Sequence, residues 1–380
     1  MNEVLIVAAE ASSALFALRL LEQWKSEKKN IKAFGVGTQA MEDLGFERIG
    51  KAEEMAVVGL AEIIEHYGHL KSVFNRLVEE SLRRKPKVAI VMDYPDFNLM
   101  LAKKLHAAGI PVVYYISPQV WAWRKGRVKK IKKYCEKVLV LFPFEVDFYK
   151  SEDVSVEFVG HPLLDEISDK YLNPQYLKER RSKFGIKSED TVIGLMPGSR
   201  RGEIRQHLVL QMQVAQNLST EFSNLKFAIL VAPTLTKEQI QELIPPQFSF
   251  SYVLLKDEPP EMICLCDFVL AASGTATLLV GLLHKPMVIM YNVKWTTYVL
   301  AKILAYRVKL VGLPNLILGR EVVPERIQVG AGALTLEMKK YLQDKAYSDS
   351  VRWELSQLQG RLGAKGATSR VAKAVDVYFS

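Results

Sequence analysis

Short runs rich in Val and Ile, apolar at consecutive rather than alternate positions, recur along this chain of 380 residues. In the first half they are "VLIVAA" (4–9), "IKAFGV" (31–36), "VAIVMD" (88–93), "PVVYYIS" (111–117), "KVLVLF" (137–142) and "VEFVG" (156–160). The second half has "TVIGLM" (191–196), "KFAILVA" (226–232), "FSYVLL" (250–255), "FVLAAS" (268–273) and "PMVIMY" (286–291). A strand apolar on both sides has no face for water, so it belongs in a parallel sheet covered on both faces. The longer stretches between the runs have helical spacing, as the crossovers of such a sheet require. The expected fold is α/β, with two Rossmann-like domains, 1–164 and 191–346. The polar stretch 165–190 reads as a linker, and the helical stretch 347–380 is expected to pack back on the first domain. Ligands in such sheets bind beyond the carboxyl ends of the strands, and the cleft between the two domains is the expected site.

Composition narrows the class of partner. The formal charge of +9 calls for an acidic one: nucleic acid, anionic lipid or a phosphorylated small molecule. No apolar run approaches the roughly 18 residues of a spanning helix. The N-terminus enters an apolar run without a basic leader, so no signal peptide is expected. Three cysteines, Cys135, Cys264 and Cys266, lack C-x-x-C spacing and fit reduced thiols in a cytoplasmic protein.

Three strand ends carry chemistry. In "LMPGSRRGEI" (195–204) a strand stops at Pro-Gly and a helix opens. Gly198 lets the backbone approach a ligand, Ser199 offers a hydroxyl, and Arg200 or Arg201 can clamp two phosphate oxygens. "AASGTAT" (271–277) repeats the device with Ser273, Gly274 and Thr275, so that two turns can hold a diphosphate. In "VMDYPDFN" (91–98), Asp93 ends a buried-type strand, where partial desolvation suits a general base. Asp96 competes for that role and otherwise reads as the N-cap of a helix from Phe97. "GVGTQA" (35–40) is only a fragment of a dinucleotide fingerprint, and there is no P-loop.

Two stretches suit a membrane surface. "MAVVGLAEII" (55–64) can form an apolar wall containing Val57, Val58 and Leu60, against the plainer reading of core packing. "VWAWRKGRVKKIKKY" (120–134) sets Trp121 and Trp123 before a basic helix that includes Arg124, Lys125 and Arg127. RNA binding would place aromatic residues through the basic run, and none are there, so no nucleic acid is expected. His66 and His69 lack a third ligand, no metal is expected, and His161 in "VGHP" reads as a structural residue of the hinge.

"VMDYPDFN", "YISPQVWAWRKGRVKKI", "VLFPFEVDFY", "FVGHPLLD", "LMPGSRRGEI", "ASGTAT" and "LPNLILGREVVPE", in this order, resemble the lipid-A-disaccharide synthases from about residue 4 to about residue 340. The resemblance implies a GT-B glycosyltransferase, cytoplasmic and peripherally associated with the bacterial inner membrane; the sequence leaves an oligomer open. It implies transfer of 2,3-diacylglucosamine from UDP to 2,3-diacylglucosamine 1-phosphate (lipid X), giving a β-1,6 disaccharide and UDP, without a cofactor. On that resemblance Asp93 is the catalytic base, and Arg200, Ser273, Gly274, Thr275 and Asn315 belong to the UDP pocket, with Gly198 and Ser199 beside them. Glu10, Ser12, Asp96 and Asn98 fall on the acceptor side. The chain has no D-x-D motif.

The sequence departs from the family pattern at three places. Ala9, Ser13 and Ala14 stand where the family has Gly, Gly and Asp, which is expected to stiffen a tight turn. Leu279 replaces a Glu at a helical position that in related enzymes holds the donor ribose. The usual Pro-Arg before Met41 is missing. The alternatives are a GT-B transferase of another UDP-sugar or acceptor, and a catalytically weak paralogue that binds nucleotide or lipid.

Overall fold

A computed structural model describes residues 2–55, 60–118, 126–199, 201–233, 235–292 and 310–379, with side chains excepted at 60–67 and 201. The chain forms two compact units, Met1–Asp165 with Leu362–Ser380, and Glu166–Arg361. The first holds β1 (Asn2–Ala8), β2 (Ile31–Gly37), β3 (Glu47–Lys51), β4 (Val88–Met92), β5 (Val112–Tyr115), β6 (Lys137–Val140) and β7 (Val156–Phe158). Their order is β3-β2-β1-β4-β5-β6-β7, and every pairing is parallel. The second holds β8 (Thr191–Met196), β9 (Leu225–Leu230), β10 (Tyr252–Leu255), β11 (Phe268–Ala272), β12 (Met287–Tyr291) and β13 (Glu325–Ile327). Its order, β10-β9-β8-β11-β12-β13, repeats the first plan. Each two-sided apolar run became a strand. β4 and β11 are buried at every residue, as covering on both faces requires.

In each sheet the order reverses at one point, between β1 and β4 and between β8 and β11. At such a point the crossovers leave in opposite directions, and a crevice opens beyond the strand ends. Helix Gly126–Tyr134 shows how a basic stretch joins such a layer. Val128 and Ile131, three apart, enter the core, while Lys129, Lys130, Lys132 and Lys133 stay exposed. Among the described residues no helix is long and apolar enough to cross a membrane.

The boundary segments differ from the expected ones. Residues from Glu166 onward cluster with the second unit rather than standing apart. Lys170 (2.7 Å), Tyr176 (2.5 Å) and Arg180 (3.3 Å) converge on Glu261, and Arg181 pairs with Asp267 at 3.0 Å. Of the C-terminal stretch, helix Lys345–Ser356 stays with the second unit and helix Ala367–Asp376 joins the first. The latter packs on helix Ala11–Ser26, with Asp376 paired to Lys29 and Phe379 edge-on to Trp24. Asp165 accepts hydrogen bonds from the Gly366 and Thr368 amides at its start.

His161 is buried between Phe16 and Phe142, and its Nδ1 accepts the Leu163 amide at 3.2 Å. Burial holds its pKa down at about 3. The three thiols are buried and pushed up, Cys135 and Cys266 to about 12 and Cys264 to about 11, which suits packing rather than nucleophilic chemistry.

The His161 imidazole gives the first prediction. An unfolded histidine takes up a proton below about pH 6.5, whereas the folded one stays neutral down to about pH 3. Stability is therefore expected to fall as pH drops through that window, by up to about 1.4 kcal/mol per pH unit from this group. Denaturant titrations of the wild type and His161→Gln at several pH values check this: the variant should show the shallower acid slope.

Candidate functional site

The carboxyl end of β1 runs through Ala9 and Glu10 into helix Ala11–Ser26. Glu10 is extended, its amide donates to Ser13 Oγ at 3.1 Å, and that hydroxyl donates back to the Glu10 carbonyl at 2.9 Å. Residues 9–14 include none with positive φ. The turn therefore does not need the family's glycines, and Ser13 ties it where a glycine could not. Ser12 and Glu10 remain half-buried, while Ala14 faces the core.

Beside it, β4 ends in a strained turn. Asp93 (φ 52°) and Tyr94 (φ 42°) are both left-handed, and so is Ile116 (φ 60°) just beyond β5. Such backbone costs an L residue about 1–2 kcal/mol and is an outlier for a β-branched side chain. It persists only where the surroundings over-determine it, which is commonest at functional sites. Here the Asp93 amide donates to the Ile116 carbonyl at 3.2 Å. The Asp93 carbonyl accepts from Tyr114 Oη and Asn98 Nδ2, both at 2.7 Å. The Tyr94 phenol is pushed up by burial and then by the Glu10 charge, so the two turns share one electrostatic neighbourhood.

One expectation on this side is corrected. Asp96 is not an N-cap: the helix is Pro95–Ala107 with Tyr94 at the cap, and Asp96 in its first turn pairs with Arg127 at 2.7 Å. That pairing leaves Arg127 a largely covered cation rather than a free surface one. Asn98 follows in the same helix. It is fully buried, and its Nδ2 is spent on the Met92 and Asp93 carbonyls.

In the second unit, β8 ends at Met196, Pro197 follows, and Gly198 adopts φ 120°. A Cβ there would sit 3.1 Å from Glu203 Oε2, the end of a side chain that can move aside, so it is the backbone that calls for glycine. Ser199 is half-buried, and helix Arg201–Ser219 follows. Beyond β11 the Ser273 amide donates to the Met290 carbonyl at 2.8 Å. Gly274 is exposed, and its carbonyl accepts from Thr277 Oγ1 at 2.8 Å. Ser273 and Thr275 are half-buried beside it.

Two residues that the sequence reading passed over organise these ends. His207 and Gln211, four apart on one face of helix Arg201–Ser219, are buried. His207 Nδ1 lies 3.1 Å from the Pro197 carbonyl and its Nε2 2.9 Å from that of Asn292. Gln211 Nε2 donates to the Met196 and Leu270 carbonyls, both at 3.0 Å, and so joins β8 to β11 where the order reverses. Polar side chains at i and i+4 within the apolar face of "HLVLQMQVAQNL" were the available signal.

Asn315 lies in helix Leu313–Leu318. It is fully buried; its Nδ2 donates to the Val323 carbonyl and Glu325 Oε1, and its Oδ1 accepts the Val322 and Val323 amides. With its side-chain polar atoms so engaged, it shapes residues 322–325. Leu279 is buried within helix Ala276–Leu282. Arg200, Val57, Val58, Trp121, Trp123, Arg124 and Lys125 lie outside the described residues, as does the Leu60 side chain.

Residues 4–375 match the lipid-A-disaccharide synthetase family. The chain belongs to that family. It is similar to the lipid-A-disaccharide synthase of Geobacter sulfurreducens, 37% identical over 376 residues that cover 98% of this chain and 96% of that one. That of Geobacter metallireducens is 38% identical over the same length, with the same coverage. Among solved structures, UDP-GlcNAc 2-epimerase from Neisseria meningitidis bound to UDP-GlcNAc aligns with a TM-score of 0.65 at 13% identity, covering 99% of this chain and 100% of that one. Anabaena HepE in complex with UDP and glucose aligns at 0.57 and 10% identity, again covering 99% and 100%. The fold is GT-B, and this member of the synthase family is a glycosyltransferase of lipid A biosynthesis, a hexosyltransferase that uses a UDP-sugar.

Gln211 gives the test of the donor-side framework. Gln211→Leu keeps the apolar bulk and leaves the Met196 carbonyl at the end of β8 and the Leu270 carbonyl within β11 without this donor. The expected loss is about 1–3 kcal/mol. It should be read as a lower urea midpoint at unchanged slope.

Proposed function

We propose that this enzyme transfers 2,3-diacylglucosamine from UDP to the 6-hydroxyl of 2,3-diacylglucosamine 1-phosphate (lipid X), with inversion at the anomeric carbon. The observation that carries the proposal is the strained, doubly held turn that presents Asp93 at the end of β4, in a chain of this family. The Asp93 carboxylate takes the proton of the acceptor hydroxyl, whose oxygen attacks the anomeric carbon. The bond from that carbon to the diphosphate oxygen breaks, and the electron pair leaves with UDP.

The turns after β8 and β11 receive the leaving diphosphate. Gly198 brings main-chain N–H groups close, Ser199 and the Ser273–Thr275 turn add hydroxyls, and Arg200 supplies a bidentate cation. Donors fixed before the reaction meet charge as it develops, with no reorganisation during the step. Leu279 has no acceptor for a ribose hydroxyl, so the donor is held chiefly through its diphosphate in this reading. Glu10 and Ser12, next to the Asp93 turn, face the acceptor sugar.

Both substrates carry acyl chains, and the protein works at the inner-membrane surface without spanning it. The exposed Lys129, Lys130 and Lys133 of the basic helix suit the anionic headgroups there, with Val57, Val58, Leu60, Trp121, Trp123, Arg124 and Lys125 meeting the lipid. Arg127, spent on Asp96, is left out of that surface.

The test is UDP release by the purified protein, given UDP-2,3-diacylglucosamine and lipid X in detergent micelles. Asp93→Asn should lower kcat by about 10²–10⁴-fold, the usual worth of a general base. Turnover at the wild-type rate in this variant would overturn the assignment of the base. Absence of turnover in the wild type, with UDP still bound, would point to another acceptor.

A further inference from the structure

We infer that Tyr114 and Asn98 are positioning residues for the proposed reaction, acting on the Asp93 main chain to hold its carboxylate in the reactive orientation. The inference rests on the reading of Asp93 as the base.

The grip comes from two elements. Tyr114 lies in β5, the neighbour of β4, and Asn98 lies one turn into the helix that follows Asp93. Both are fully buried, and both donate to the same carbonyl oxygen, that of Asp93, at 2.7 Å. Asn98 Nδ2 also reaches the Met92 carbonyl at 2.9 Å, so it spans the last strand residue and the first turn residue. The opposite amide orientation would set its Oδ1 against two carbonyl oxygens, which fixes the assignment. The Asp93 amide is held as well, by the Ile116 carbonyl of another left-handed residue.

Two successive left-handed residues without glycine each bring a steric cost that opposes this turn. Each buried hydrogen bond on the Asp93 carbonyl offsets part of that cost, and two donors on one oxygen act together to hold it. Removing one lets the turn relax toward negative φ, which rotates Cβ and the carboxylate with it. Burial and then the Asp93 charge keep the Tyr114 phenol protonated far above any assay pH, so this donor does not titrate away. A general base must lie within hydrogen-bond reach of its proton, and a small rotation is then read in kcat.

Tyr114→Phe removes one hydroxyl and keeps the ring. Tyr341→Phe is the matched control, since Tyr341 is equally buried in the second unit and donates to the Met287 carbonyl at 3.0 Å. Initial rates of UDP release, UDP affinity by calorimetry and thermal midpoints are measured for both. The expected result is that Tyr114→Phe lowers kcat about tenfold or more, with KM for both substrates and the UDP Kd within twofold. Its midpoint should shift no more than that of Tyr341→Phe, which keeps wild-type kcat. Asn98→Ala is expected to show the same kcat-only loss and serves if Tyr114→Phe fails to fold.

Wild-type kcat in folded Tyr114→Phe, with Asp93→Asn inactive, would overturn the positioning role and leave the base in place. Equal kcat losses in Tyr114→Phe and Tyr341→Phe, or a loss carried by KM, would also overturn it, as a general packing effect. Full activity of Asp93→Asn would remove the base and this inference together.

Discussion

A parallel strand can be followed by its neighbour only through a crossover, and a right-handed crossover returns the chain to the same edge of the sheet. Every strand then delivers its carboxyl end to one edge, and every functional turn of a unit must be there. The two-sided apolar runs impose this arrangement twice. The order reversals at β1/β4 and β8/β11 select which of those ends flank an open crevice. Glu10 and Asp93 fall at the first reversal, and Gly198, Ser199 and the Ser273–Thr275 turn at the second. On the proposed assignment the chemistry is divided by topology, with proton abstraction in one unit and diphosphate binding in the other.

The two reversal points are stabilised in different ways. In the second unit, glycine removes the steric cost at Gly198, and side chains from helix Arg201–Ser219 fasten the strand ends from below. In the first, no glycine relieves Asp93, Tyr94 or Ile116, and buried donors oppose the strain instead. A phosphate needs main-chain N–H groups brought close, which glycine allows. A base needs a side chain, which rules glycine out and leaves the backbone cost to be met by hydrogen bonds.

Much of this was legible in the sequence because parallel strands must be apolar on both faces. The strands it missed, "ERIGK" and "ERI", are β3 and β13, each at the edge of its sheet. An edge strand is covered less and tolerates charge, so its pattern is not apolar. The places of the turns after β8 and β11 and of Asp93 after β4 were legible from small residues and a carboxylate at the ends of apolar runs. Asn98, Asn315 and Asp96 show where that reasoning stops. A polar residue near a site reads the same whether it meets substrate or a buried carbonyl, and only packing separates the two. His207 and Gln211 escaped for the same reason, their polar atoms being spent inside the fold. The stretch 165–190 looked like a linker because its charges are dense, yet those charges are partnered by Glu261 and Asp267 of the second unit.

The division of chemistry between the two reversal points is tested most directly by a crystal structure of the protein with UDP bound. The account predicts that the diphosphate lies beyond β8 and β11, with its oxygens about 2.7–3.2 Å from main-chain N–H groups of the Gly198–Ser199 and Gly274–Thr275 turns. A diphosphate seated instead beyond β1 and β4, beside Glu10 and Asp93, would contradict it.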